Sequence, residues 1–187
     1  MSWFGRVRNE FAAVTAPFVG RPICYVEVGV FTGDSAVWTL ENVLTHPDAH
    51  GIGVDHYPAD RKRTPEVIEG IRQEAIKRLE PYTAAGKWRW IFQPSRLALR
   101  YNVPTPIDLL YLDGAHEAPD VLCDFCYAWP SLAPGSVVVF DDLGIGERHE
   151  AKGVAHVPTA CRAVAEVFRD RIEVVNPGPR QFAIRVK

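Results

Sequence analysis

Two patterns of apolar and polar residues, one typical of strands and one typical of helices, alternate along this chain. Short, almost wholly apolar runs are typical of strands buried on both faces of a sheet, and an apolar residue every three or four positions is typical of a packed helix. The apolar runs predict seven strands, at residues 23–28, 51–54, 88–92, 108–112, 136–140, 172–175 and 182–186. The stretches between them predict helices at residues 35–44, 65–80, 96–100, 119–132 and 159–169.

This order of elements predicts the fold class. Strands that alternate with helices form a parallel sheet through right-handed crossovers. The last two strands are joined by a short turn at 177–179, so they must be antiparallel. We therefore expect an α/β protein with a doubly wound, mostly parallel seven-stranded sheet and one antiparallel strand near the edge, in a single domain over residues 1–187.

The N-terminal segment, residues 1–22, carries apolar side chains at helical spacing: Trp3, Phe4, Val7, Phe11 and Val14. This spacing predicts an amphipathic helix packed on the domain, and a helix lying on a membrane surface is the alternative. The segment lacks the apolar core of a signal peptide, and the chain has no apolar run as long as a membrane span.

Composition narrows the choice of partners and compartment. The 187 residues carry a net charge of −2, which argues against nucleic acid as the main partner because a polyanion requires a basic surface. The four cysteines show no disulfide framework, so we expect a protein of the reducing cytoplasm. Self-association into a homo-oligomer stays open.

Acidic residues end two of the predicted strands. Asp113 follows one strand, with His116 three positions later, and Asp141 and Asp142 follow the next. Carboxyl ends of neighbouring parallel strands meet at one edge of a sheet, where ligands bind. Carboxylates ~5 Å apart repel by roughly 3 kcal/mol at an effective dielectric of ~20, so they share protons or hold a cation. Oxygen ligands suit Mg²⁺ or Mn²⁺; helix caps and ion pairs are the alternative explanation.

The turn after the first strand lacks a dinucleotide fingerprint. Glycines at i, i+2 and i+5 would be needed, but phenylalanine and aspartate stand at the second and third places after Gly29. The pattern is instead Glu27-x-Gly29-x-x-x-Gly33, and Asp55 ends the second strand, where an acid accepts hydrogen bonds from ribose hydroxyls. This combination favours a nucleoside without a pyrophosphate, and S-adenosylmethionine is such a ligand. The alternative for Glu27 is an ion pair with Arg21.

Three stretches carry a resemblance to a known family: Glu-Val-Gly-Val-Phe-Thr-Gly-Asp-Ser-Ala at 27–36, Asp-Leu-Leu-Tyr-Leu-Asp-Gly-Ala-His at 108–116, and Leu-Ala-Pro-Gly-Ser-Val-Val-Val-Phe-Asp-Asp at 132–142. The chain resembles class I S-adenosylmethionine-dependent methyltransferases, and within them the small metal-dependent O-methyltransferases related to macrolide sugar O-methyltransferases and cephalosporin-hydroxylase-like proteins. The resemblance implies a Rossmann-like methyltransferase fold. Phe31 departs from the broader motif, which has glycine there.

The resemblance also implies a function and its residues. The chain would transfer a methyl group to a hydroxyl of a small sugar or phenolic metabolite, with Asp113, Asp141 and Asp142 as ligands of Mg²⁺ or Mn²⁺ and His116 as the catalytic base. In the relatives, the first metal acid precedes the pair by 28 and 29 positions, as it does here. The residues implied for S-adenosylmethionine are Glu27, Gly29, Phe31, Gly33, Ser35, Asp55, His56, Gln93, Ser95 and Asp113.

The sequence leaves two alternative functions open: a metal-dependent hydroxylase-like protein and a non-catalytic nucleoside-binding or assembly protein.

Residues 143–157 combine glycines with charged residues, which predicts a mobile loop that closes over the acceptor through Arg148 and His149. The acid pair of this chain is Asp-Asp, whereas catechol-type relatives have Asp-Asn and sugar-specific ones Glu-Asp.

Overall fold

The computed structural model describes residues 3–58, 63–176 and 178–187. They form one seven-stranded sheet in the order β3-β2-β1-β4-β5-β7-β6. The strands are β1 Cys24–Val28, β2 His50–Val54, β3 Trp88–Ile91, β4 Ile107–Leu112, β5 Leu132–Phe140, β6 Ile172–Asn176 and β7 Phe182–Val186. The helices are α1 Arg8–Thr15, α2 Asp34–Asn42, α3 Pro65–Ala84, α4 Ser95–Tyr101, α5 Ala118–Ala128, α6 Leu143–Glu150 and α7 Val157–Val167.

The predicted architecture is confirmed. Strands β1 to β5 pair in parallel, and β7 pairs antiparallel with β5 and β6. Both faces of the sheet are covered, because alternate residues of β1 and β4 point to two separate apolar cores. One core contains residues of α4, α5 and α7, and the other contains residues of α1, α2 and α3. Pro177, within the predicted turn at 177–179, lies outside the described residues.

The N-terminal segment packs on the second core. Helix α1 lies between two short 3-10 turns, Phe4–Arg6 and Ala16–Phe18. The apolar stripe is buried as predicted, except for Trp3, which is 64% exposed and lies outside the packed face. Among the described residues, no helix is long and apolar enough to cross a membrane.

Several predicted boundaries differ from those of the structure, and the helix predicted at 119–132 ends at Ala128. The fifth strand, predicted to begin at residue 136, begins at Leu132, so the Pro-Gly pair at 134–135 lies inside the strand. The register between β4 and β5 shifts there, and Ser136 Oγ donates to the Ile107 carbonyl at 2.7 Å, so the extra residues form a bulge. Helix α3 was expected to end before Pro81, yet it continues to Ala84.

The segment expected to be a loop at 143–157 begins as helix α6. Its glycines lower helix propensity, but Gly146 is buried against Pro158, and a Cβ on Gly146 would lie 2.3 Å from that ring. Close packing against α7 therefore requires glycine here and holds the helix in place. Helix α7 begins two residues earlier than predicted, with His156 as its N-cap.

Candidate active site

The turn after β1 is shaped by two glycines with positive φ. Gly29 has φ +87°, and a Cβ built on it would lie only 2.2 Å from the carbonyl oxygen of Asp113. Gly33, with φ +82°, is the N-cap of α2 and packs on Leu79. The end of β1 can thus approach the end of β4 only because residue 29 has no side chain.

Glu27 lies beneath this turn with a side chain that is 0% exposed. Its two oxygens accept hydrogen bonds from the hydroxyls of Tyr25 and Ser35. Burial raises the pKa of Glu27 to about 8, against the hydrogen bonds from these two hydroxyls. Glu27 and Ser35 therefore connect β1 to the first turn of α2, and direct contact of Glu27 with a ligand stays a prediction.

Asp55 supports the same turn from the end of β2. Its Oδ2 accepts the backbone N–H of Phe31 at 3.1 Å, and its Oδ1 accepts that of Tyr57 at 2.8 Å. The Tyr57 hydroxyl donates to the Phe31 carbonyl at 2.9 Å. Each carboxylate oxygen keeps a further lone pair, so Asp55 can still accept hydrogen bonds from a ligand.

The other residues predicted for the cofactor line the same end of the sheet. His56 is exposed directly after Asp55, and Gln93 and Ser95 are half-buried after β3. Ser95 is hydrogen-bonded to the buried Asp124 of α5, whose pKa burial raises to about 6. The sequence did not indicate Asp124, because a single acid in a helix pattern carries no signal of burial.

The structure brings three predicted residues together at the ends of β4 and β5. Among the described residues, Asp113, His116 and Asp142 form a group whose potential ligand atoms all lie within 4.8 Å of one another. His116 Nε2 is 3.2 Å from Asp142 Oδ2 and 3.8 Å from Asp113 Oδ1. The three side chains are between 22% and 42% exposed, so a small molecule can reach them.

Asp141 departs from the prediction that it belongs to this group. Its side chain is buried, Oδ2 accepts the Tyr111 hydroxyl, and Oδ1 accepts the Asp142 backbone N–H at 2.8 Å. Both acids follow the end of β5, and Asp142 turns the chain with φ 59°, so the two neighbouring carboxylates do not point the same way. In the structure, His116 rather than Asp141 therefore forms this group with Asp113 and Asp142.

Backbone strain concentrates around this site. Among the described residues, three that are not glycine have positive φ, and they are Phe31, Tyr57 and Asp142. Each such position costs ~1–3 kcal/mol and persists where surrounding contacts enforce it. Two of these residues flank the Asp55 carboxylate, and the third belongs to the acid group.

Two further histidines extend from the acid group along α6 and α7. The ring of His156 lies 5.9 Å from that of His116 and stacks on His149 at 4.7 Å. Burial and the two neighbouring imidazoles lower the pKa of His156. Arg148 and His149 are both exposed in the last turn of α6, and the closing lid stays a prediction.

A family model described as a methyltransferase domain matches residues 26–143, which is well over half of the 187-residue chain. The chain belongs to this methyltransferase domain family. The matched region begins in β1 and ends at the start of α6, so it contains the glycine turn, Asp55 and the acid group. The predicted enzyme class is therefore confirmed at the level of the family.

A relative by sequence and several solved structures are similar to this methyltransferase domain. Uncharacterized protein R132 of Acanthamoeba polyphaga mimivirus is 26% identical over 125 residues, which cover 64% of this chain and 51% of that protein. The chain thus spans about half the length of this curated relative. The O-methyltransferase TomG of Streptomyces achromogenes, solved in complex with SAM, matches with a TM-score of 0.64 and 16% identity, over 100% of this chain and 81% of that chain. CalS11, a TDP-rhamnose 3'-O-methyltransferase of calicheamicin biosynthesis, matches with a TM-score of 0.64 and 18% identity, over 97% and 80% of the two chains.

Two members of the acid group in this methyltransferase domain, Asp113 and His116, have raised pKa values. Burial raises the pKa of the Asp113 carboxyl to about 7, with the charges of Asp141 and Asp142 acting in the same direction. The neighbouring carboxylates, Asp113 first and then Asp142, raise the pKa of His116, although partial burial opposes the shift. Near neutral pH, the Asp113 carboxyl and the His116 imidazole therefore compete for protons, which suits proton transfer or cation binding.

Proposed function

We propose that this chain transfers the methyl group of S-adenosylmethionine to a hydroxyl oxygen of a small metabolite, with the help of a divalent ion. One observation carries the proposal. The space for a Cβ on Gly29 is occupied by the carbonyl of Asp113, so the glycine turn and the acid group meet at one point of the sheet edge. A donor at the turn and an acceptor at the acid group would be close neighbours, which in-line methyl transfer requires.

The donor would lie along the ends of β1, β2 and β3. Its methionine end would lie over the turn from Gly29 to Gly33, and its ribose hydroxyls would donate to Asp55. Phe31 lines this path with a 37% exposed ring, and Phe92, after β3, is also exposed beside Gln93. A flat, partly apolar adenine suits such a surface next to a polar amide.

The acid group fits a hard divalent ion such as Mg²⁺ or Mn²⁺. Asp113 and Asp142 offer carboxylate oxygens and His116 offers Nε2, all within 4.8 Å of one another and open to solvent. Carboxylates with space left for water are the surroundings that these ions prefer. A bound divalent ion would lower the pKa of a hydroxyl beside it and orient that hydroxyl.

His116 would remove the proton of the acceptor hydroxyl. The nearby Asp113 and Asp142 carboxylates stabilise its protonated form, so the imidazole is a stronger base than a free histidine. The same nitrogen, Nε2, faces both carboxylates. It cannot bind a metal and accept a proton at once, so metal affinity and turnover of a His116 variant distinguish the two roles.

The acceptor class follows from the openness of the site and from the similar structures. The three side chains of the group are 22–42% exposed, and the ring of His156, the N-cap of α7, lies beside His116, so an acceptor would reach the group from solvent. CalS11 is a methyltransferase of TDP-rhamnose, and TomG acts in tomaymycin synthesis. CalS11 supports a sugar hydroxyl as the acceptor, and a phenolic hydroxyl stays the alternative.

The decisive experiment incubates the protein with isotopically labelled S-adenosylmethionine and a panel of sugar and phenolic acceptors, with and without EDTA. We expect labelled ether products that disappear in EDTA and return with Mg²⁺ or Mn²⁺. Full turnover in EDTA would exclude the metal role. Donor binding measured by calorimetry, without transfer to any acceptor, would favour a non-catalytic nucleoside-binding protein.

A further inference from the structure

A buried hydrogen-bonded chain lies directly behind the acid group. Tyr111 in β4 and Gln181 before β7 are both fully buried. The Tyr111 hydroxyl donates to Asp141 Oδ2, and Gln181 Nε2 donates to the Tyr111 oxygen at 3.3 Å. The ring of Phe11 packs on Tyr111 at 4.8 Å. Two strands and the N-terminal helix therefore fix the position of the Asp141 carboxylate.

The buried Asp141 carboxylate in turn holds the backbone of Asp142. Its Oδ1 accepts the backbone N–H of Asp142 at 2.8 Å, and Asp142 has φ 59° and ψ 23°, a left-handed conformation. This conformation costs ~1–3 kcal/mol in a residue other than glycine, so it needs support from its surroundings. It places Asp142 Oδ2 at 3.2 Å from His116 Nε2.

The segment that carries Gln181 is itself held from two sides. Glu10 Oε2 in α1 accepts the backbone N–H groups of Arg180 and Gln181 at 3.2 and 3.1 Å. The Arg180 carbonyl accepts the N–H of Leu143, the first residue of α6, at 2.9 Å. The hydrogen bonds from α1 through this segment thus reach both sides of the acid pair.

We propose that Tyr111 and Gln181 are positioning residues that hold Asp142, through the buried Asp141 carboxylate, in the left-handed conformation that faces Asp113 and His116. Neither residue touches the space in front of the acid group. Asp141 then acts from behind the site, which accounts for its burial. The metal-affinity part of the test rests on the proposed function, whereas the conformational part does not.

Two neutral substitutions test the proposal without changing any charge. Tyr111→Phe keeps the ring against Phe11 and removes the hydroxyl, and Gln181→Met keeps the length of the side chain and removes the amide. Tyr25→Phe is the matched control, because Tyr25 is also a fully buried tyrosine whose hydroxyl binds a buried acid, Glu27, on the adjacent strand β1. Near-UV circular dichroism and thermal melting verify that each variant is folded.

Three quantities are measured on the full chain. They are the imidazole nitrogen resonances of His116 in ¹⁵N-histidine-labelled protein, assigned with His116→Gln; the affinity for Mn²⁺ by electron paramagnetic resonance; and the affinity for S-adenosylhomocysteine by calorimetry. We expect Tyr111→Phe and Gln181→Met to shift the His116 resonances and to weaken Mn²⁺ binding at least ~10-fold, as is typical when a partner of a metal ligand is removed. Binding of S-adenosylhomocysteine should stay within about twofold, because the donor lies at other strand ends.

Each outcome separates the two proposals. If the wild type binds no Mn²⁺ but the His116 resonances shift in both variants, the metal role fails and the positioning role stands. If the wild type binds Mn²⁺ and neither variant changes the affinity or the resonances, the positioning role is overturned and the metal role stands. Equal changes in Tyr25→Phe would indicate general loosening of the core and would also overturn the positioning role. Should one variant fail to fold, the other decides.

Discussion

The close approach of two backbone segments in the site gives a quantitative prediction for Gly29→Ala. Alanine at position 29 would have to adopt the left-handed backbone conformation of Gly29, which costs ~1–2 kcal/mol. Its Cβ would also lie 2.2 Å from the Asp113 carbonyl oxygen and 2.7 Å from the Gly114 Cα, so β1 and β4 must separate. Overpacking of this kind costs ~1–3 kcal/mol. We expect the free energy of unfolding to fall by about 2–5 kcal/mol in total.

Two other glycines provide matched controls within the same chain. Gly86 has φ +71°, and no atom lies within 4 Å of the position that a Cβ would take, so Gly86→Ala isolates the conformational strain alone. Gly70 lies inside α3, also with open space around it, so Gly70→Ala should stabilise the helix by ~0.5–1 kcal/mol. The expected order of stability is Gly70→Ala above wild type, then Gly86→Ala, then Gly29→Ala.

Urea titration followed by tryptophan fluorescence measures these differences, and the five tryptophans of the chain provide the signal. Calorimetry with S-adenosylhomocysteine adds a functional readout, because separation of β1 from β4 would displace the turn from Gly29 to Gly33 and weaken donor binding in Gly29→Ala, whereas the two controls should leave it unchanged. If Gly29→Ala loses no more stability than Gly86→Ala, the close approach of β1 to β4 does not exist and the reasoning fails.

Three further predictions concern single side chains. Because burial raises the pKa of Glu27 to about 8 while an unfolded glutamic acid ionises near 4.5, the wild type loses stability as pH rises from about 5 to 8. The stability of Glu27→Gln relative to wild type should therefore increase over that range in urea titrations, and a constant difference would contradict the shift. Asp55→Ala should weaken calorimetric binding of S-adenosylhomocysteine by ~1–3 kcal/mol, and the exposed Asp48→Ala should not. His116→Ala should lower turnover by roughly 10²–10⁴-fold, less at high pH where the acceptor ionises unaided; an additional loss of Mn²⁺ affinity would make His116 a ligand instead.

The sequence alone determined the sheet and the edge that carries the site. Runs such as residues 109–112 and 137–140 are apolar on both faces, which a central strand of a parallel sheet accommodates, and these two runs end at Asp113 and Asp141. The carboxyl ends of β1, β2, β4 and β5 must meet at one edge, so Gly29, Asp55, Asp113 and Asp142 were predictable as neighbours. The family motifs added the donor and the class of reaction.

Only the tertiary structure decided how the side chains divide their roles. Asp141 and Asp142 are adjacent and chemically identical, and what separates them is the pair of partners behind β5, Tyr111 and Gln181, which lie 30 and 40 positions away from Asp141 along the chain. The glycines that predicted a loop instead allow α6 to pack on α7, because Gly146 leaves space for the Pro158 ring. Local patterns encode burial and period, whereas the direction of a carboxylate depends on contacts between segments that are distant in sequence.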